Sequence, residues 1–171
     1  MIETERLRLR QLTPADGSVL LDVFADPYAR EFYPDMTDYA WVVRWIEWNL
    51  GNYEKFGYGL WGMELKSSGE LIGDCGLTWQ QVEVRSELEI GYHVLARERR
   101  RGYATEGARA CLDWGFRHTD SAMICSIVRP ANLASCTVAG RVHPARREFE
   151  RRGQPVLLFY TMRSDWEMAG R

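Results

Sequence analysis

The sequence has no run approaching the ~18 consecutive apolar residues that a membrane-spanning helix requires. Its opening, MIETERLRLR, has no apolar core of the secretory kind, so a cytoplasmic protein with no membrane partner is expected. Cys75, Cys111, Cys125 and Cys136 are widely spaced with no CxxC pair and read as reduced, mostly core thiols. His93, His118 and His143 share no metal-ligand spacing, so no metal is expected. Repeats, low-complexity tracts and linkers are missing as well, and 171 residues suit one domain, 1–171.

Net charge is also scarce, at −2, but it is unevenly spread. Asp16 to Glu54 holds eight acids and two bases; Arg97 to Arg152 holds twelve arginines and six acids. A sign split between halves points to different partners for each. The Arg-rich half raises a nucleic-acid reading, but near-neutral charge and the lack of a recognition motif argue against a nucleic-acid partner. What the chain has in quantity is apolar residue, 46% with 12% aromatic, enough for a core without disulfide or metal staples.

Patterning places the elements. Glu5–Gln11 alternates Arg and Leu, a strand with Leu7 and Leu9 inward. Thr13-Pro14-Ala15-Asp16 starts a helix running to about Ala25, with Thr13 as cap and Asp16 as capping-box partner. Thr37 or Asp38 caps a second helix to about Phe56, whose Trp41, Trp45 and Trp48 share one face, either core or groove lining. Strands follow at Tyr58–Leu65, Glu70–Thr78 and Glu87–Leu95, then a helix at Ala104–His118 and a strand at Ala122–Val128. A short helix at Leu133–Val142 stops at Pro144, and strands at Arg146–Glu150 and Val156–Met162 close on the turn Arg152–Pro155. The order predicts a mixed α/β fold with adjacent antiparallel strands in the middle.

Gly57-Tyr58-Gly59-Leu60-Trp61-Gly62 matches GxGxxG, but a helix precedes it and a strand continues it, the reverse of the dinucleotide fingerprint. The informative stretch runs from Glu87 to Glu106. A strand enters a basic loop, Arg99-Arg100-Arg101, then Gly102 allows a tight turn and a helix begins. Helix N-termini leave amides unpaired at a positive dipole end, so such a loop can wrap a phosphate or pyrophosphate. No GKT or GKS follows, which excludes a Walker A loop.

Arg99-Arg100-Arg101-Gly102-Tyr103-Ala104 resembles motif A of the GNAT superfamily of N-acetyltransferases, Gln/Arg-x-x-Gly-x-Gly/Ala. The opening ETERLRLR, the strand end EIGY, the helix start GYATE and Asn132-Leu133-Ala134-Ser135 resemble the RimJ/RimL-type branch, in matching order from about Glu3 to Trp166. The resemblance implies a mostly antiparallel twisted sheet of about seven strands flanked by about four helices, splayed at the two central strands. It implies acetyl-CoA as co-substrate, lying between the strands Glu87–Leu95 and Ala122–Val128. Backbone groups near Val94 and Leu95 would hold the pantetheine and polarise the thioester. Amides from Arg99, Arg100, Arg101, Gly102, Tyr103, Ala104 and Thr105 would hold the pyrophosphate, and Asn132 the pantetheine arm. The acceptor implied is a primary amine, on a protein N-terminus or a small molecule; a homodimer is left open.

The reaction needs the amine to lose a proton, because an α-ammonium has a pKa near ~8. Glu89 is the base expected, through water, with Glu87 and His93 on the same strand face as alternatives. The departing thiolate benefits from a donor; the tyrosine used by many family members falls at Ala139, leaving Ser135 as the branch's residue. Two departures stand out: Ala139-Gly140-Arg141-Val142-His143-Pro144 replaces a Lys-Leu-Gly-type ending, and Arg99-Arg100 replaces a common Trp-Gly. The alternative reading is a CoA-binding module without catalysis. The acidic segment is expected on the acceptor side, favouring cationic amines.

Overall fold

Wholly buried Leu7 and Leu9 alternate with half-buried Arg8 and Arg10 along β2 (Leu7–Arg10), the two-residue period of a strand with one face in the core. The computed structural model describes residues 1–36 and 38–170. Among them are eight strands in one sheet and six helices. In chain order these are β1 (Ile2–Glu3), β2, α1 (Gly17–Ala25), α2 (Pro27–Phe32), α3 (Tyr39–Phe56), β3 (Leu60–Leu65), β4 (Leu71–Val82) and β5 (Arg85–Val94). Then come α4 (Tyr103–His118), β6 (Met123–Val128), α5 (Leu133–Val142), β7 (Ala145–Arg151), β8 (Gln154–Met162) and α6 (Arg163–Ala169). The sheet order is β1-β2-β3-β4-β5-β6-β8-β7, antiparallel everywhere except between β5 and β6.

The mixed α/β reading holds, with three elements the patterning passed over. Two-residue β1 is too short to show a period, and it forms by pairing Ile2 with Leu9. Helix α2 is a single Pro27-led piece whose cap, Asp26, accepts the Ala29 N–H at 3.1 Å. Helix α6 follows β8 directly. Strand β4 also runs on to Val82, because β4 and β5 turn sharply at Glu83-Val84 and pair without a break from Val82–Arg85 to Gly73–Val94. Of the two caps named for α3, Thr37 lies outside the described residues, and Asp38 accepts the Trp41 N–H at 2.7 Å. At the start of α1, Asp16 accepts the Thr13 N–H at 2.7 Å and a two-pronged pair from Arg10. The GxGxxG segment divides as its flanks require: Gly57, at φ 81, ends α3, and Gly62 lies in β3.

Helix α4 covers one face of the sheet through Ala108, Cys111, Leu112 and Phe116. It lies close, because a Cβ at Gly115 would stand 2.7 Å from Ile124 Cδ1. Helices α1 and α3 cover the other face, with Leu20, Val42 and Ile46 in one cluster and Val23, Phe24 and Leu95 in the next. Truncating a fully buried leucine such as Leu88 or Leu77 in such a core costs roughly 2–5 kcal/mol.

The feature that positions the site is a fork. Parallel strands β5 and β6 pair only at Leu88 with Ile124 and Glu89 with Cys125. Beyond that point β5 continues to Val94 and β6 to Val128 without pairing, so their facing backbone groups are free of each other.

Candidate active site

The fork opens into a cleft of about 880 Å³. Its walls are the end of β5 (Tyr92, His93, Val94), the loop and first turn of α4 (Glu98 to Arg100 and Gly102 to Thr105) and the start of α5 (Asn132 to Ser135). Helices α1 and α2 close it with Val23, Phe24, Tyr28 and Phe32, and Tyr33 follows from the α2–α3 connection. The acidic segment therefore does line the cleft, and among the described residues its wall there is apolar and aromatic, with no carboxylate. Asp16, Asp26 and Asp38 are spent on Arg10, on Arg99 with the Ala29 amide, and on the Trp41 amide.

At the fork, the alternation of the β4–β5 ladder decides which backbone groups point inward. Leu95 N–H is committed to Ile72 O at 2.9 Å. Ile90 O accepts from Ser126 Oγ at 3.0 Å and Val94 O from Arg99 Nε at 3.1 Å, both on the β6 side. The same alternation turns the Tyr92 and Val94 N–H groups into the cleft. Of the two residues named for this duty, the geometry favours Val94 over Leu95.

The loop before α4 has the backbone an anion cradle needs. Arg100 sits at φ 62 and Gly102 at φ 87, two left-handed residues in three, and the second is one that glycine adopts without strain. The first helical bond is Glu106 N–H to Gly102 O, 3.0 Å, so the amides of Tyr103, Ala104 and Thr105 have no intrahelical acceptor. The three arginines divide. Arg99 bonds Asp26 Oδ2 at 2.6 Å and Val94 O, Arg101 pairs with buried Glu98 at 3.3 Å, and exposed Arg100 makes no ion pair among the described residues.

The two sequence stretches that carried the branch resemblance touch here. Glu106, from GYATE, accepts from Thr4 Oγ1 at 2.5 Å, Arg6 N at 2.8 Å and Arg6 Nε at 2.7 Å, all from the opening ETERL. Burial works against its charge, yet Thr4 and Arg6 hold its carboxyl below the usual range. Arg6 also donates to Arg101 O at 3.0 Å, bracing the loop from outside.

Across the cleft, Asn132 caps α5: its Oδ1 accepts the Ser135 N–H at 3.1 Å and the Tyr28 hydroxyl at 3.0 Å. Ser135 lines the cleft, and its carbonyl accepts the Tyr92 hydroxyl at 2.9 Å. Ala139 is fully buried, so β5, not α5, brings a tyrosine hydroxyl to this end of the cleft.

The face of β5 opposite α4 carries the proposed bases. Glu89 is half-buried, and its Oε1 accepts the Ile127 N–H at 3.0 Å across the mouth of the fork. Burial pushes its carboxyl up to about 7, while the Ile127 bond and the Arg151 and His93 charges pull the other way. Glu89 and Glu87 are not among the cleft-wall residues; His93 is. His93 Nδ1 lies 2.6 Å from Asp74 Oδ1 on β4, and Asp74 Oδ2 accepts Trp45 Nε1–H at 3.0 Å. Asp74, Tyr28, Arg6 and Glu106 were not singled out from the sequence. An aspartate inside the apolar run Leu71–Leu77 was the available signal for the first, since a buried charge is rarely there without a partner.

No group of three or more metal-ligating side chains occurs among the described residues, and no helix of theirs is long and apolar enough to cross a membrane.

Comparison with known proteins adds the following. The model of the acetyltransferase (GNAT) domain matches residues 6–143. The uncharacterized protein YkkB of Bacillus subtilis strain 168 is 37% identical over 140 residues, 81% of each chain. The crystal structure of the acetyltransferase from Agrobacterium tumefaciens strain C58 superposes with a TM-score of 0.79 at 28% identity, covering 94% of this chain and 92% of that one. RimL, the ribosomal L7/L12 alpha-N-protein acetyltransferase solved in complex with coenzyme A, superposes at 0.69 and 18% identity over 93% of this chain and 95% of its own.

Proposed function

The chain belongs to the GNAT acetyltransferase family, and from that premise we propose that it moves the acetyl group of acetyl-CoA directly to a primary amine, as a RimJ/RimL-type enzyme of the cytoplasm. The observation that carries this reading is the convergence of two devices on one cleft. Unpaired amides at the start of α4 suit the pyrophosphate, and the β5–β6 fork suits the pantetheine and thioester. Arg100 adds a loop charge with no ion-pair partner among the described residues, and Asn132 and Ser135 stand on the opposite wall.

The acetyl group supplied by the co-substrate is activated at its carbonyl, where the inward Val94 and Tyr92 amides can donate as negative charge grows on oxygen. Glu89, with its carboxyl near 7, is half ionised at neutral pH and accepts protons from the fork through water. Ser135 positions the sulfur end. Direct transfer fits the thiols. Cys125 is fully buried, and burial raises the thiols of Cys125 and Cys136 above their ordinary value, so neither is a ready nucleophile. The acceptor is an amine presented past the aromatic wall of α1 and α2, of the N-terminal kind named for RimL or a small molecule.

The test is thiol release from acetyl-CoA in the presence of a panel of N-terminal peptides, arylalkylamines and polyamines, with mass spectrometry of the products. Amine-dependent release and addition of one acetyl group are expected. Tight CoA binding with no release above background across the panel would leave only a CoA-binding module.

A further inference from the structure

Asp74 has none of its surface exposed, yet it lies in the middle of a sheet, and its two oxygens are claimed by two particular donors. Trp45 Nε1–H holds Oδ2 from α3, and His93 Nδ1 sits 2.6 Å from Oδ1. The register explains the pairing: Asp74 and His93 are directly opposed on β4 and β5. An ionised carboxylate only accepts, so Nδ1 carries the hydrogen and Nε2 is left with a lone pair. The ring is clamped by Phe24 and Tyr33, each with its centroid 4.9 Å away, and by Trp45 at 6.0 Å. The titratable groups facing it are Asp74 from β4, Glu89 from its own strand and the Tyr33 phenol from the α2–α3 connection; α1 and α3 offer only Phe24 and Trp45. His93 lines the cleft, whereas the Glu89 carboxylate is tied to Ile127 at the fork.

Resting on the acetyl-transfer reading, we infer that His93 Nε2 is the first acceptor of the ammonium proton, and that Asp74 is the positioning residue holding the ring in the tautomer that can accept it. The proton passes from the ammonium to Nε2, and the imidazolium so formed faces the Asp74 carboxylate. The freed nitrogen lone pair makes the C–N bond, the C–S bond breaks with its electron pair going to sulfur, and the second nitrogen proton reaches the thiolate through water. His93 hands its proton on through water to Glu89, and from there to solvent. Trp45 makes the arrangement testable, because its N–H must keep an acceptor. In Asp74→Asn the side-chain oxygen therefore stays with Trp45 and the NH₂ faces Nδ1, which moves the hydrogen to Nε2 and blocks acceptance.

Two measurements decide it. Side-chain 15N spectra at alkaline pH resolve the tautomers of only three histidines, and His93→Gln assigns the signal. The wild type should carry its hydrogen on Nδ1, and Asp74→Asn on Nε2. Kinetics with whichever amine of the panel turns over should show kcat lowered about 10²–10⁴-fold in His93→Gln and about 10²-fold in Asp74→Asn. KM for acetyl-CoA should be unchanged, and the acid limb of the rate–pH profile lost in His93→Gln. A wild-type ring protonated on Nε2 overturns the inference, even if no amine is found. So does a His93→Gln enzyme that keeps its acid limb while Glu89→Gln loses it; that result leaves acetyl transfer standing. If wild-type protein binds CoA and turns over no amine, the acetyl-transfer reading fails, and the spectra judge Asp74 and His93 separately.

Discussion

Glu89→Gln should make the protein more stable at alkaline pH and no more stable in acid. The carboxyl is moved by burial from an ordinary 4.5 to about 7. For a raised acid the sign runs against the charged form: between those two pH values the unfolded chain has already lost the proton that the folded chain still holds. The folded state binds more protons there, so unfolding free energy falls as pH rises. At about 1.4 kcal/mol per pH unit, ionised Glu89 costs about 3 kcal/mol above pH 7, and nothing well below 4.5. Glutamine removes the charge but retains an oxygen for the Ile127 N–H, 3.0 Å away, so the brace across the fork is kept. Urea unfolding of wild type and variant at pH 4, 5.5, 7 and 8.5, chosen to span the two values, reads the difference. The gap should open from near zero to a few kcal/mol in the variant's favour, while acetyl transfer slows. A constant gap, or a variant less stable at the alkaline end, would mean that burial does not raise this carboxyl.

His143 supplies the opposite slope. Burial lowers its imidazole to about 4, so as pH falls below 6.5 the unfolded chain takes up a proton that the folded chain refuses, and stability is lost. His143→Asn, whose amide can still meet Ser126 and Thr161, should flatten the thermal melting temperature between pH 7 and 5, whereas an unchanged slope would contradict a buried neutral ring. Glu106→Ala removes three hydrogen bonds from partly exposed partners and should cost about 1–2 kcal/mol by urea unfolding. The same variant should raise KM for acetyl-CoA through the unbraced loop, and an unmoved KM would mean that Arg6 does not set the loop. Gly102→Ala forces a side chain to φ 87 with its Cβ 3.3 Å from Arg6, for about 1–2 kcal/mol, and weaker CoA binding by calorimetry is expected with it.

Elements with a strong local signal were legible. The Arg/Leu alternation of β2, the capped start of α1 and the loop Arg99–Gly102 before α4 all stand where their residues put them. Elements too short for a period were not: β1 has two residues and α2 has six. The tryptophan spacing gave a correct helix face but left core and groove undecided, and the answer is divided within the stripe. Trp45 reaches Asp74 and stands beside His93, while Trp48 stacks on Trp45 with 42% of its surface exposed.

The mixed α/β order and the glycine turn that opens α4 could be read from the chain, because each depends on residues a few positions apart, whereas Asn132, expected at the pantetheine arm, is seen to cap α5 only in the folded protein. Where the charges go depended on the assembled fold. Two of the three loop arginines are spent on Asp26, Val94 and Glu98, and the acidic stretch turns aromatic rings, not carboxylates, to the cleft. The fold likewise placed Glu89 across the mouth of the fork and off the cleft wall, and His93 on that wall against an aspartate 19 residues away. Those outcomes rest on strand register and on which helix covers which face, and a one-residue slip between β4 and β5 would have sent Asp74 and His93 to opposite sides.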